Sequence, residues 1–135
     1  MSWDVAVFDC GGKPAIPLNQ LPPDWRPMPM GQALCVREKI SKHLADVDWS
    51  DPTWGMYSED GFSFEFNMGK DALVDSFMVH IRGGGNAVEA LVRFAKPNGW
   101  SLLDCSSGEF IDIDNPSAES WTQFQRFRNQ IQHRE

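Results

Sequence analysis

The chain has 135 residues, a formal net charge of −7 and 41% hydrophobic residues. This length suffices for a real core, so we expect residues 1–135 to form a single domain. The negative charge argues against nucleic acid and anionic membrane surfaces as partners, and no stretch approaches the roughly 20 apolar residues of a membrane span. Such charge commonly serves solubility, but it also suits a basic protein partner.

The three cysteines are odd in number and widely spaced, at positions 10, 35 and 105. Free thiols in a reducing compartment fit this spacing better than disulfides or zinc ligands. The segment MSWDVAVFDC carries Asp4 and no basic flank, so it is a poor signal peptide. We therefore expect a cytoplasmic protein without a metal or another cofactor.

The first part of the chain predicts a strand, a strap and a helix. Alternation over residues 3–8 is typical of a strand. Proline recurs too often between residues 13 and 30 for a helix. Bulky apolar residues between the prolines, Trp25 among them, predict a proline-rich strap laid on the body of the domain. Residues 32–47 repeat apolar residues at helical spacing and predict the first helix.

The clearest pattern lies at residues 61–85, where two strictly alternating runs flank a turn at Met68–Asp71. Such alternation predicts a half-buried antiparallel hairpin with one apolar face inward. A short strand at residues 54–58 is expected to precede it. The inward face comprises Phe62, Phe64, Phe66, Phe77, Val79 and Ile81.

The remaining elements complete the predicted fold. Asn86 is a plausible N-cap for a second helix, residues 100–105 and 109–113 resemble a second hairpin, and residues 115–117 open a last helix. The order β-α-β-β-β-α-β-β-α predicts an α+β fold with a single, mainly antiparallel sheet and helices packed on one face. The other face of the sheet would then be partly open.

Glu65, His80 and Arg82 are predicted to share the polar face of the hairpin. A carboxylate, an imidazole and a guanidinium together could bind a small anion, act as an acid–base pair or dock a partner. The alternative is cross-strand pairing of solvated charges, which stabilises by roughly 0.2–1 kcal/mol and has no further role. No nucleophile is fixed beside the histidine, so we name no catalytic residue.

Three further features are candidates for binding. The glycines at 83–85 could offer amides to an anion, although a tight crossover explains them more simply. Trp25 and Trp54 are expected to be partly exposed interface anchors. The remaining candidate is a set of acids that could hold a cation, face a basic partner or guard a sheet edge: Asp104, Glu109, Asp112 and Asp114.

Residues 48–115 contain the motifs GFSFEF, DSFMVHIRGGG and GWSLLDCSSGEFID. In these motifs the chain resembles an uncharacterised family of small bacterial cytoplasmic α+β proteins. The resemblance implies a fold and no catalytic residue. In size, acidity and α+β build the chain is also similar to immunity proteins that neutralise bacterial toxins.

These observations favour a non-catalytic protein-binding module, of the immunity type, that uses its acidic groups and Trp25 to engage a basic partner. Two alternatives stay open. One is a small-anion-binding domain or enzyme that uses Glu65, His80 and Arg82. The other is a structural homodimer joined through the open sheet face.

Overall fold

The computed structural model describes residues 1–11 and 18–132. Across these residues the fold is α+β, with three helices, a six-stranded antiparallel sheet and a small two-stranded sheet. The predicted fold class is confirmed. The strands are β1 Trp3–Phe8, β2 Gly31–Gln32, β3 Trp54–Glu59, β4 Phe62–Asn67, β5 Leu73–Val74, β6 Ser76–Gly83, β7 Ser101–Asp104 and β8 Glu109–Phe110. The helices are α1 Ala33–Ser41, α2 Ala87–Ala95 and α3 Glu119–Gln132, and a single 3-10 turn spans Leu18–Gln20.

The six-stranded sheet has the order β3-β4-β6-β1-β7-β8. The predicted pairing is confirmed, with β4 antiparallel to β6 and Glu65 opposite His80, but the connection runs over residues 68–75 and contains β5, so it is longer than the predicted turn at Met68–Asp71. β1 inserts between β6 and β7, so that Asp4 also lies opposite His80. This central place for β1 brings residues from both ends of the sequence onto adjacent strands.

One face of the sheet, called here the inner face, packs against all three described helices. Its strand residues join helix residues such as Val36, Leu91 and Trp121 in one buried cluster. Phe94 of α2 packs edge-on against Phe66, with ring centroids 5.8 Å apart. Burial of this apolar surface is the main stabilising contribution to the fold.

Several boundaries differ from the predictions. The first helix ends at Ser41 instead of residue 47, turns follow over residues 42–46, and the positive φ of 63° at Asp46 is incompatible with a helix that continues to residue 47. The last helix starts at Glu119 instead of residues 115–117, after a bend at residues 113–115. The sheet is also not single, because β2 and β5 pair separately. Two-residue strands are too short for alternation to reveal.

The predicted strap at 13–30 is described only in part, since its residues 13–17 lie outside the described ranges. Beyond them, Trp25 packs edge-on against Phe8 with ring centroids 6.1 Å apart. The amide of Met28 donates to the Asp9 carbonyl at 2.8 Å, and the amide of Met30 donates to the Val74 carbonyl at 2.8 Å. These contacts hold residues 25–30 against the end of β1 and against β5.

Candidate functional site

The face of the six-stranded sheet opposite the helices is called here the outer face. The alternation of each strand sends Trp54, Glu65, His80, Arg82 and Asp4 to this side, in register across β3, β4, β6 and β1. The placement predicted for Glu65, His80 and Arg82 is therefore confirmed. All three side chains are on one surface.

His80 is held from two sides. Its Nδ1 lies 2.8 Å from Asp4 Oδ1, and its ring stacks on the indole of Trp54 with centroids 5.5 Å apart at 21°. The Ser2 hydroxyl also donates to Asp4 Oδ1, at 2.6 Å. A carboxylate that binds one ring nitrogen fixes the orientation of an imidazole, so the His80 ring is fixed in place on the sheet.

Arg82 donates from its guanidinium to the Glu65 carboxylate on the neighbouring strand. The Arg82 side chain is 45% exposed and that of Glu65 is 19% exposed. The alternative foreseen from the sequence, cross-strand pairing of charges, therefore describes this pair. The guanidinium is already neutralised, which weakens its attraction for an anion.

Trp54 follows a turn that is ordered by Asp51. The backbone amide and the hydroxyl of Thr53 both donate to Asp51 Oδ1, and these hydrogen bonds lower the pKa of the Asp51 carboxyl below its ordinary value. The Trp54 amide in turn donates to the Asp51 carbonyl at 3.1 Å. The turn thus delivers a half-buried indole to the start of β3, at the margin of the outer face.

Apolar side chains continue the outer face beside these polar groups. Met56 on edge strand β3 is 44% exposed. Met78 lies between Asn67 and Ala6 on the adjacent strands, and Leu103 follows Ala6 across β7. The surface is therefore a mixture of aromatic and aliphatic groups with paired charges, which is the composition of many protein interfaces.

The four candidate acids of the second hairpin do not all lie on its strands. β8 ends at Phe110, so Asp112 and Asp114 lie in a loop and not on a strand. Asp112 Oδ1 accepts from the amides of Asp114 and Asn115, at 3.0 and 3.2 Å, and Asp114 is 3.5 Å from the Lys96 ammonium. The prediction that this strand continues to residue 113 was wrong. The Asp112 carboxylate accepts hydrogen bonds from the following amides and so stabilises a turn, which ends the strand.

Glu109 and Asp112 line a cleft of about 460 Å³ beside the start of α3, whose lining includes Asp104. Asp104 is only 3% exposed, and its Oδ1 accepts from the Trp3 indole at 3.1 Å and the Ser106 hydroxyl at 2.7 Å. Burial alone would raise the pKa of the Asp104 carboxyl. Hydrogen bonds from neighbouring serines lower it by a larger amount, so the pKa of Asp104 lies below its ordinary value. This carboxylate has a structural role, joining β7 to β1.

The glycine joint packs closely against the Gly61 turn and α3. The Gly84 amide donates to the Gly61 carbonyl at 2.6 Å, and a Cβ at Gly83 would lie 2.4 Å from the same oxygen. Arg128 and Trp121 of α3 donate to the Gly83 and Gly85 carbonyls. The glycines therefore allow close backbone approach, the simpler of the two explanations offered by the sequence.

Asp4, Met56 and Met78 are outer-face residues that the sequence did not single out. Asp4 gave one signal, as the lone carboxylate in the apolar strand at residues 3–8. Its pairing with His80 depends on β1 lying next to β6, which alternation within a strand does not specify. Trp25 stands apart from this group, against Phe8 at the end of β1.

Over residues 1–11 and 18–132, no cluster of three or more His, Cys, Asp or Glu side chains could ligate a metal ion. Within the same ranges, no helix is both long and apolar enough to traverse a bilayer.

The fold and the outer face together define a two-layer α+β domain with one sheet face left uncovered by the described helices. No protein-family model matches the chain, and neither a curated protein nor a solved structure matches it. Function is therefore inferred from the geometry of the outer face.

Proposed function

We propose that this protein is a non-catalytic protein-binding module of the bacterial cytoplasm, and that its outer face binds a basic protein in the manner of a toxin-immunity protein. The observation that carries the proposal is that the outer face combines a stacked, half-buried Trp54 with charges already paired along the strands. Rigid aromatic side chains surrounded by fixed polar groups are typical of interface hot spots. A preorganised surface also lowers the entropic cost of association.

The net charge of −7 favours a basic partner. Opposite charge accelerates encounter and excludes partners of like charge. All three cysteines are free thiols, which is consistent with a reducing compartment. The resemblance to small bacterial proteins supports a bacterial host for this interaction.

Two observations favour binding over catalysis at this face. Arg82 is engaged by Glu65, and His80 Nδ1 is engaged by Asp4. The nearby thiol of Cys105 has a raised pKa, because burial and the charges of Asp4 and Asp104 disfavour the thiolate, so it is a poor nucleophile at neutral pH. Because the hydrogen-bonding groups of Arg82 and His80 are paired with carboxylates of the protein itself, this arrangement favours a binding surface over an active site.

A capture experiment with matched variants tests the proposal. The protein is immobilised as wild type, as Met56→Arg and as Phe127→Arg, and each form is exposed to an extract of the source cell. Both replaced side chains are exposed, at 44% and 56%, but Met56 is on the outer face and Phe127 is on α3. We expect a protein that is retained by the wild type and by Phe127→Arg and lost from Met56→Arg.

That protein is then purified and titrated against each variant at increasing salt. We expect its association rate to fall as salt screens the opposite charges. An association rate independent of ionic strength would contradict a basic partner, and equal binding to both arginine variants would contradict the outer face as the interface. Light scattering of the protein without a partner tests the homodimer alternative. If the wild type is a dimer and Met56→Arg is a monomer, the homodimer replaces our proposal.

A further inference from the structure

A groove runs along one end of the outer face. The segment 68–75, which connects β4 to β6 through β5, forms one wall, and side chains of β1 and β6 form the floor. The enclosed volume is about 460 Å³, within the roughly 300–1,000 Å³ typical of ligand pockets. The floor includes Ala6, Phe8 and Met78 and is therefore apolar.

The wall of the groove carries negative charge. Asp71 and Asp75 both line it and both are exposed. Among the described residues, no ion pair involves either carboxylate. The amide of Asn67 and the hydroxyl of Ser76 add polar groups at the same place. An apolar floor beneath two carboxylates complements a long side chain with an aliphatic stem and a cationic end.

We propose that this groove receives an arginine side chain of the protein partner, an inference that rests on the protein-binding function proposed above. Phe8, which packs edge-on against Trp25 and is only half-buried, places an aromatic ring at the groove, and a guanidinium is attracted to such rings. The carboxylates of Asp71 and Asp75 can accept its hydrogen bonds, and a planar guanidinium donates to carboxylates in pairs more readily than an ammonium does. The partner's arginine would thus be fixed beside Trp54 and His80, because Asn67 and Met78 connect the two places.

The probe for this site is the N-acetyl, N-methylamide derivative of arginine, added to the isotope-labelled full chain and followed by NMR. The matched control compound is the same derivative of citrulline, which has the shape of arginine without its charge. We expect saturable shifts for the arginine compound at residues 67–78 and at Phe8, with a dissociation constant in the millimolar range because a single side chain buries little surface. Citrulline should bind at least about fivefold more weakly, since charge-assisted hydrogen bonds are lost.

Two double variants test whether arginine binding depends on the carboxylates of the groove. Asp71→Asn with Asp75→Asn should weaken arginine binding at least about fivefold. Asp46→Asn with Asp60→Asn changes the net charge equally, at exposed positions outside the groove, and should leave binding within about twofold, which is the effect expected of long-range charge alone. Shifts centred elsewhere, equal binding of citrulline, or equal effects of the two double variants would each overturn the inference.

The outcomes separate this inference from the proposed function. If the captured partner is lost from Met56→Arg but binds the Asp71→Asn, Asp75→Asn variant as it binds the wild type, the outer face remains the interface and the arginine site is wrong. If no partner depends on Met56, the proposed function is wrong whatever the arginine titration gives. A partner that loses at least about fivefold in affinity for the double variant supports both.

Discussion

The two faces of the six-stranded sheet are formed by the same strands but differ in what surrounds each side chain. On the inner face Phe66 is fully buried and packs against four aromatic rings, those of Trp49, Phe64, Phe77 and Phe94. On the outer face His80 keeps a 21% exposed side chain and packs between Asp4 and Trp54. The inner face thus dominates stability, whereas the outer face holds polar and aromatic groups in fixed positions, the surface at which we propose that a partner binds.

From the difference between the two faces we expect the largest loss of stability on substitution of Phe66. Phe66→Ala removes a ring from the centre of the inner face and should lower the free energy of unfolding by about 3–5 kcal/mol. Phe127→Ala on α3 removes the same atoms from a side chain that is 56% exposed, and should change stability by no more than about 0.5 kcal/mol. Urea unfolding followed by tryptophan fluorescence measures both. Equal losses would mean that burial of the inner face does not dominate stability.

A second prediction concerns Gly83, the last residue of β6, at the edge of both faces of the sheet. Gly83 has φ 97°, and a Cβ there would meet the Gly61 carbonyl oxygen at 2.4 Å and Phe62 Cα at 2.9 Å. Gly83→Ala should therefore cost about 2–4 kcal/mol, from backbone strain and overlap together.

Gly69 is the matched control for this substitution. Its φ is 76°, but no atom lies within 4 Å of the Cβ that alanine would add. Gly69→Ala should cost only the roughly 1–2 kcal/mol of a left-handed alanine. The difference between the two alanine variants in thermal or urea unfolding isolates the steric contact. No difference would show that β6 and the Gly61 turn can separate freely.

The third prediction concerns Asp104, the one charged side chain classed as buried among the described residues. Asp104→Asn should cost about 1–3 kcal/mol at pH 7, because hydrogen bonds to a charged acceptor are replaced by weaker ones. The pKa of Asp104 is lowered on folding, so its charged form stabilises the protein above the unfolded pKa of about 3.9. This contribution is lost as pH falls through the lower folded pKa.

Stability against pH therefore distinguishes Asp104 from an exposed acid. The margin of wild type over Asp104→Asn should shrink as pH falls below about 4. Asp114→Asn serves as the control, because the Asp114 side chain is 87% exposed; it should leave the pH profile of unfolding almost parallel to that of the wild type. A margin for Asp104 that is constant with pH would contradict a stabilising carboxylate.

Local pattern predicted those parts of the fold that depend on one segment at a time. Alternation over residues 61–85 gave the faces of β4 and β6 correctly, because side-chain direction in a strand has a period of two. The ends of α1 and β8 were wrong, because the turns after Ser41 and at Asp112 depend on local geometry that periodicity does not detect. The small sheet of β2 and β5 has too few residues to show any period.

The candidate site was predicted to the extent that it lies within one hairpin. Glu65, His80 and Arg82 share a face because β4 and β6 pair directly, although the 68–75 segment with β5 lies between them in sequence. Asp4 joins His80 only through the insertion of β1 between β6 and β7, and strand order follows from packing of the whole sheet. The groove with Asp71 and Asp75 likewise needs β1 beneath the 68–75 segment, so a single-segment pattern could not reveal it.

The smallest expected effect is at the Glu65–Arg82 pair on the outer face. A double-mutant cycle of Glu65→Gln and Arg82→Gln should give a coupling of about 0.2–1 kcal/mol, since solvent and salt screen a pair whose cation is 45% exposed. Urea unfolding at low and high salt measures this coupling, which should decrease as salt is added. The matched control is Lys96 with Asp114, whose side chains are 59% and 87% exposed and whose coupling should be close to zero.

The size of this coupling decides whether the two faces have separate roles. A small value leaves most of the fold's stability on the inner face, so that Arg82 and Glu65 can adjust to a partner at low cost. A coupling above about 2 kcal/mol, insensitive to salt, would instead resemble that of a buried pair. The outer face would then also be a structural surface, and a partner that disturbed Arg82 would lose stabilising energy on binding. Because the Arg82 side chain is 45% exposed and open to solvent screening, we expect the smaller value.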